Sequence, residues 1–112
     1  MNTFLFKFFL ICLAFSTIRS QSIVWQTGNW ALACDFVGND LSNALTRGED
    51  CSTKCINTQG CTHYTWTTWN KGTCWMKKGP ISRNNAIYTG DQTMVCGVID
   101  QGSNIDISIF DY

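Results

Sequence analysis

The sequence is poor in the side chains on which catalysis most often depends. It has one histidine and one proline, and charged residues make up 14% of its 112 residues. It contains no Ser/His/Asp order, no glycine-rich phosphate loop and no Asn-x-Ser/Thr motif. Because general bases and activated nucleophiles are scarce, we expect no enzyme activity. No motif implies a cofactor, and without the glycosylation motif we expect no N-linked glycan.

Long apolar runs are absent after the first twenty residues. The one such run, residues 4–15, is interrupted only by Lys7 and is followed by small polar residues. About a dozen apolar residues are too few to cross a bilayer core of roughly 30 Å comfortably. Small residues after a short apolar run are typical of the cleavage region of a secretory signal peptide. We therefore predict a signal peptide over residues 1–20, cleaved after Ser20 or alternatively after Ser16. A retained membrane anchor is the other interpretation. The prediction implies a secreted, extracellular protein that does not insert into a membrane.

Cleavage would leave a weakly acidic chain. Lys+Arg and Asp+Glu both number 8 in the whole sequence, and Lys7 and Arg19 would leave with the signal peptide. Six basic residues would then face eight acidic ones, a net charge of −2. Nucleic acids and other ligands held mainly by charge need a basic surface, so we expect no nucleic-acid partner.

Cysteine is the residue type that is abundant. Cys12 lies in the predicted signal peptide, which leaves an even number of cysteines in a short exported chain and so predicts a disulfide framework. A chain of about 90 residues buries only a limited core, and cross-links compensate for this. The remaining cysteines are Cys34, Cys51, Cys55, Cys61, Cys74 and Cys96.

Local patterns predict five strands and one helix, an α+β fold with an antiparallel sheet. Runs rich in Thr, Tyr and Trp are typical of strands, and residues 69–72 (WNKG) supply a hairpin turn. Thr46 and Glu49 have the spacing of a capping box, which places a helix at about residues 47–58. Residues 38–40 (GND) predict a turn. The predicted strands are residues 30–36, 61–68, 73–78, 86–89 and 93–98.

These elements favour one pairing among the many that six cysteines allow. Cys51 and Cys55 lie about one helical turn apart, too far for easy mutual bonding. Cys55 and Cys61 flank the helix–strand junction, where a short loop closes naturally. Cys74, on the hairpin partner of the Cys61 strand, is then the nearest candidate for Cys51. The predicted bridges are nested: Cys34–Cys96, Cys51–Cys74 and Cys55–Cys61.

The order of cysteines and aromatic residues resembles the PAN/apple family. The residues that carry the resemblance are Cys34, the helical pair Cys51 and Cys55, the strand CTHYTW from Cys61, the strand CWMK from Cys74, and Cys96. The resemblance implies a five-stranded antiparallel sheet with one helix packed across it, nested disulfides, and binding to proteins or carbohydrates.

The resemblance covers about residues 34–97, most of the mature chain, and the whole sequence is predicted to have four parts. The predicted parts are a signal peptide at 1–20, a lead-in with the first strand at 21–33, a PAN/apple-like domain at 34–97 and a tail at 98–112. In the tail, Ile105, Ile107 and Ile109 alternate with polar residues. An added edge strand and a loose acidic terminus both fit this pattern.

Aromatic side chains provide the candidate binding surface. If Cys61 and Cys74 point toward the helix, strand alternation places His63, Thr65 and Met76 on the same side. The side chains between them then point to the opposite face, where they can stack on a sugar ring or grip a peptide. Coverage of that face by terminal strands or the tail is the alternative. With the tryptophan of the turn included, the candidate binding residues are Tyr64, Trp66, Trp69, Trp75 and Lys77.

Metal binding and hydrolysis are weaker interpretations of the remaining polar residues. Zinc would need thiolates beside His63, but exported cysteines are normally oxidised, so we expect no metal site. Paired carboxylates can hydrolyse glycosides, but nothing in the sequence sets their separation, and solvated loop charge is the favoured interpretation. The acidic residues concerned are Asp35, Asp40, Glu49 and Asp50.

The sequence therefore predicts a secreted module that recognises an extracellular protein or glycan without catalysis. The alternative is a secreted, disulfide-rich inhibitor or toxin-like effector of an enzyme or channel, for which a rigid scaffold is equally suitable. A protease panel separates the two, because a recognition module should inhibit none of its members.

Overall fold

Residues 22–99 are described by a computed structural model and form eight short strands and one α-helix. The predicted signal peptide at 1–20 and residues 100–112 of the predicted tail lie outside the described residues. The strands are β1 (Trp25–Gln26), β2 (Trp30–Leu32), β3 (Cys34–Asp35), β4 (Asp40–Leu45), β5 (His63–Thr67), β6 (Thr73–Lys77), β7 (Ile87–Tyr88) and β8 (Val95–Val98), and the helix is α1 (Cys51–Ile56).

The strands pair in one large sheet and one small one. Six strands form an antiparallel sheet in the order β1-β2-β8-β5-β6-β4, and β3 pairs with β7 in a separate two-stranded sheet. The predicted α+β class, an antiparallel sheet with one helix, is confirmed at this level, although the sheet has more strands than the five expected. The central hairpin of β5 and β6 matches its prediction closely.

Strand β4 was not anticipated from the sequence. Residues 40–45 (DLSNAL) contain no aromatic or β-branched residue, so they lack the composition that marks a strand. The strand forms because it pairs with β6 along the edge of the sheet, with a register shift between Asp40 and Ser42. The predicted strand at 30–36 is also divided in two, because Ala33 has a φ of 57° and interrupts the extended backbone.

The helix lies where expected, but its predicted cap is wrong. A 3-10 turn at Gly48–Asp50 leads into α1, and the residue before it, Arg47, is extended with a φ of −78° and a ψ of 159°. Thr46 is therefore one residue too early to cap the turn, and its hydroxyl donates to the Arg47 carbonyl at 2.9 Å. The Glu49 carboxylate pairs with the Arg47 guanidinium instead of closing a capping box.

Three disulfides supply most of the apolar interior. The pairs are Cys34–Cys96, Cys51–Cys74 and Cys55–Cys61, with Cα–Cα distances of 5.5, 5.3 and 5.3 Å. This is the nested pairing predicted from the sequence. Within residues 22–99, six of the eleven buried apolar residues are these half-cystines. Removing a cross-link therefore removes core volume as well as a constraint on the unfolded chain.

The core is divided by the sheet into two clusters. Under the helix, the Cys51–Cys74 and Cys55–Cys61 bridges pack with Tyr64 and Met76. Tyr64 lies directly over Gly97, its partner on β8, and a Cβ at Gly97 would overlap the tyrosine ring. The second cluster contains Ala31, Cys34, Phe36 and Cys96. The Cys34–Cys96 bridge links the small sheet to the centre of the large one.

His63 is buried on the face opposite the helix, whereas the sequence placed it on the helix side. It is 1% exposed and packs edge-on against Phe36, with ring centroids 5.1 Å apart. The Thr62 hydroxyl donates to the Gly79 carbonyl at 2.8 Å, so at its 2.8 Å contact with His63 it accepts a hydrogen bond from the ring Nδ1–H. Nε2 is then the unprotonated nitrogen, and within residues 22–99 no hydrogen-bond partner reaches it. Burial, assisted by the Lys77 ammonium, lowers the pKa of His63.

We predict that removing the Cys34–Cys96 bridge lowers the free energy of unfolding by about 3–4 kcal/mol. The bridge spans 62 residues, the longest loop of the three, and long loops lose the most entropy in the unfolded chain. Urea denaturation of the Cys34→Ala/Cys96→Ala variant measures the difference. A loss below about 1 kcal/mol would contradict a scaffold held by its cross-links.

We also predict that the protein is destabilised by mild acid through His63. The unfolded chain takes up a proton on this imidazole near pH 6.5, whereas the folded protein resists it, so the unfolded state binds more protons between the lowered pKa and pH 6.5. The contribution of His63 to the free energy of unfolding should therefore be constant above about pH 7.5 and fall as the pH is lowered through 6.5 toward the pKa of the folded state.

The chain has no other histidine, so His63→Gln isolates this effect. The variant should lose the dependence between about pH 5 and 7.5, whatever its absolute stability. The same slope in both proteins, measured by urea denaturation at each pH, would contradict the assignment.

Candidate binding groove

The predicted aromatic face is divided between the two sides of the sheet. Tyr64 pairs with Met76 and Trp66 pairs with Cys74 across the β5–β6 hairpin, and directly opposed residues share a face. Tyr64 and Trp66 therefore lie on the helix side, together with Cys74. The prediction failed because Cys61 precedes β5, so the direction of its side chain does not fix the alternation within the strand.

The other side of the hairpin carries Trp75 and Lys77. Thr65 pairs with Trp75, and His63 pairs with Lys77. Phe36 covers the end of this face near His63, and its backbone N–H donates to the Thr65 hydroxyl at 3.1 Å. Beside Phe36, the face from Lys77 to Thr67 forms an open groove of about 460 Å³. This "tryptophan groove" is lined by Asp35, Asp40, Thr65, Thr67, Trp69, Trp75 and Lys77.

Two tryptophans form the aromatic part of the groove. The ring centroids of Trp69 and Trp75 are 5.6 Å apart and their planes are inclined at 47°. Trp69 is 61% exposed and Trp75 is half-buried. Because large aromatic side chains usually bury most of their surface, an open pair of this kind is available to a ligand.

The Thr67 hydroxyl positions both tryptophans. It accepts a hydrogen bond from Trp75 Nε1 at 2.9 Å and lies 3.4 Å from the backbone nitrogen of Trp69. The Thr73 hydroxyl donates to the Trp69 carbonyl at 2.8 Å from the returning strand. Trp69 is thus held from both strands of the hairpin.

The turn that presents Trp69 has an unusual backbone. Asn70 and Lys71 both have positive φ values, 54° and 69°, and Gly72 follows with a φ of 126°. A side chain at Gly72 would come within 2.7 Å of the Thr46 carbonyl and 2.9 Å of the Trp66 ring. Glycine is therefore required at this position, both for its φ and for the close packing under the turn.

Lys77 is a buried structural cation. The residue is 4% exposed, and its ammonium donates to the Gly38 carbonyl at 3.0 Å and to Asp40 Oδ1 at 2.5 Å. These bonds tie β6 to the turn that leads into β4. The sequence suggested a lysine for contact with a ligand, whereas the ammonium is already engaged by the protein.

Tyr64 and Trp66, the two predicted residues on the helix side, have internal roles. Tyr64 is 4% exposed, and burial raises the pKa of its phenol. The Trp66 indole donates to the Thr46 carbonyl at 2.9 Å.

Tyr64 also borders a second groove of about 400 Å³ on the helix side, which Trp30 and Glu49 help to line.

Three of the five predicted residues, Trp69, Trp75 and Lys77, therefore come together in the tryptophan groove. Sequence reasoning did not assign Asp35, Asp40, Thr65 or Thr67 to it. The alternation of side chains along β5 could have predicted the two threonines, because Thr65 and Thr67 lie on the face of the hairpin that carries Trp75. The two aspartates reach the groove from β3 and β4, and only the tertiary structure brings those strands to it.

Comparison with known proteins finds no match to a family model and none to a curated protein. Residues 22–99 include no helix long and apolar enough to cross a membrane. The same part of the chain contains no group of three or more His, Cys, Asp or Glu side chains arranged to hold a metal ion. The interpretation of the groove therefore depends on its own geometry and chemistry.

We predict that Thr67→Val loosens the tryptophan pair and destabilises the protein by about 1 kcal/mol. The substitution keeps the shape of the side chain but removes the acceptor for Trp75 Nε1. Near-ultraviolet circular dichroism should show a weaker tryptophan signal. Thr67→Ser is the matched control, because it retains the hydroxyl. Equal spectra and equal stabilities for the two variants would contradict the positioning role.

Proposed function

We propose that this protein is an exported recognition module, of the PAN/apple type that its sequence resembles, and that it binds carbohydrate in the tryptophan groove without catalysis. The observation that carries the proposal is the open pair of Trp69 and Trp75, with centroids 5.6 Å apart, held by hydrogen bonds on a disulfide-linked sheet.

The chemistry of the groove suits a sugar ring. The faces of indole rings are electron-rich, and the C–H bonds on one side of a pyranose present a weakly positive, apolar surface that can stack against them. Sugar hydroxyls also need donors and acceptors at the rim, and binding sites commonly combine apolar walls with a few polar groups. Thr65, Thr67 and Asp40 line the groove, and Asn43, opposite Trp75 on β4, is exposed at its side.

Rigidity of the groove supports recognition. The Cys51–Cys74 bridge fixes the residue next to Trp75, and Thr67 holds the indole. A site that is already ordered loses less side-chain entropy when a ligand binds. The groove is also shallow and open along one side of the sheet, which suits part of a long polysaccharide chain better than an enclosed small molecule.

Export is the second part of the proposal. The apolar segment at 4–15 supports passage through the secretory pathway, and three disulfides suit an oxidising compartment. In a reducing cytosol the same six cysteines would tend to stay as thiols and the scaffold would lose its cross-links.

We predict that Trp75→Ala weakens carbohydrate binding at least about tenfold, because the loss of a stacked aromatic face costs on the order of 1.4 kcal/mol or more. A glycan array with the oxidised protein identifies the ligand, and isothermal titration calorimetry measures its affinity. Trp30→Ala is the matched control, since Trp30 is also surface-accessible, at 37%, but borders the groove on the helix side.

Two results would contradict the proposed function. One is an array on which no glycan binds. The other is a ligand whose affinity falls with Trp30→Ala and is unchanged by Trp75→Ala, which would move the site to the helix side of the sheet.

A further inference from the structure

The groove contains charges of both signs, but only one sign is available to a ligand. Its ionic side chains are Asp35, Asp40 and Lys77. The Lys77 side chain is 6% exposed and already contacts Asp40 and the Gly38 carbonyl, whereas the Asp40 side chain is 55% exposed. A ligand in the groove therefore meets carboxylate oxygen and not the ammonium.

Asp35 adds a carboxylate that forms no ion pair with the residues the structure describes. It is half-buried on β3 and lines the groove. The next residue, Phe36, is hydrogen-bonded through its backbone to Thr65, which pairs with Trp75. The two ion pairs found within residues 22–99 are Arg47–Glu49 and Lys77–Asp40, so neither neutralises Asp35.

We propose that the tryptophan groove selects an amino sugar whose amine is free and protonated, in preference to the corresponding acetylated sugar and to acidic sugars. This inference rests on the proposed function and specifies its ligand class. Trp69 and Trp75 supply the stacking surface, and Asp35, with the exposed oxygen of Asp40, supplies the anionic partner for the ammonium group.

Two physical effects act together in this selection. An ammonium group over an aromatic face gains about 0.5–2 kcal/mol, more when water is excluded. A carboxylate beside the rings adds a charge-assisted hydrogen bond. An acetamido group keeps the sugar ring but loses the positive charge, and a sugar carboxylate would meet Asp35 with like charge.

Basic residues near the hairpin do not reverse this preference. Lys71 lies in the turn and Lys78 follows β6, but neither lines the groove. Their effect on a ligand is screened through water, whereas Asp35 and Asp40 border the cavity itself.

The test uses oligomers of glucosamine and of N-acetylglucosamine of equal length. Each is titrated into the oxidised mature protein, without the predicted signal peptide. Wild-type protein should bind the glucosamine oligomer about tenfold more tightly than the N-acetylglucosamine oligomer. This difference is equivalent to one charge-assisted contact. The difference should shrink at about 1 M salt, where the screening length is about 3 Å. Polygalacturonate oligomers, which are acidic, should bind more weakly than either.

Asp35→Asn should remove most of the preference for glucosamine and leave the affinity for the N-acetylglucosamine oligomer within about twofold, because the substitution removes charge but little volume. Asp50→Asn is the matched control, with the same loss of charge on the exposed 3-10 turn before the helix. Trp75→Ala should weaken binding of both oligomers.

The titrations distinguish failure of this inference from failure of the proposed function. Equal or tighter binding of the acetylated oligomer by wild-type protein would overturn this inference and leave the proposed function intact. Absence of binding to every oligomer and to every glycan on the array would overturn both. Loss of the preference in Asp35→Asn but not in Asp50→Asn would support the inference, and an unchanged preference in Asp35→Asn would overturn it.

Discussion

The bridge between Cys51 and Cys74 determines which side chains of the β5–β6 hairpin lie on the face of the sheet opposite the helix. It joins the helix to β6, with Cys74 fully buried against α1. Because side chains alternate along a strand, a cysteine fixed toward the helix forces Trp75 to the opposite face. The same alternation directs Lys77 to that face and, through cross-strand pairing, Thr65 and Thr67. The tryptophan groove is thus a consequence of a covalent bond on the other side of the sheet.

Small polar contacts then give the groove its shape. Thr67 holds the Trp75 indole, and Thr73 holds the backbone of Trp69. The Lys77 ammonium, buried and paired with Asp40, anchors the turn that begins β4. Removing Asp40 would leave the buried Lys77 ammonium without its counter-charge, which is costly. The groove therefore depends on bonds that lie beneath its surface as well as on the residues that line it.

Several features were predictable because they depend on local chemistry. The nested disulfides, the helix near residue 51 and the β5–β6 hairpin follow from cysteine spacing, turn residues and strand composition. Three features were not. Strand β4 has no strand-like composition and forms only because β6 offers an edge to pair with. The alternation in β5 was assigned from Cys61, which lies outside the strand, and this error placed Tyr64, Trp66 and His63 on the wrong faces. Asp35 reaches the groove through tertiary packing alone.

In the proposed function, ligands bind on the open face of the sheet, between Trp69 and Trp75. The most direct measurement is a nitrogen–proton correlation spectrum of the five tryptophan indoles, recorded while glucosamine and N-acetylglucosamine oligomers are added in turn. The indole signals of Trp69 and Trp75 should shift during the titration while those of Trp25, Trp30 and Trp66 stay in place. Shifts confined to Trp30, on the helix side, or no shift at any indole, would contradict it.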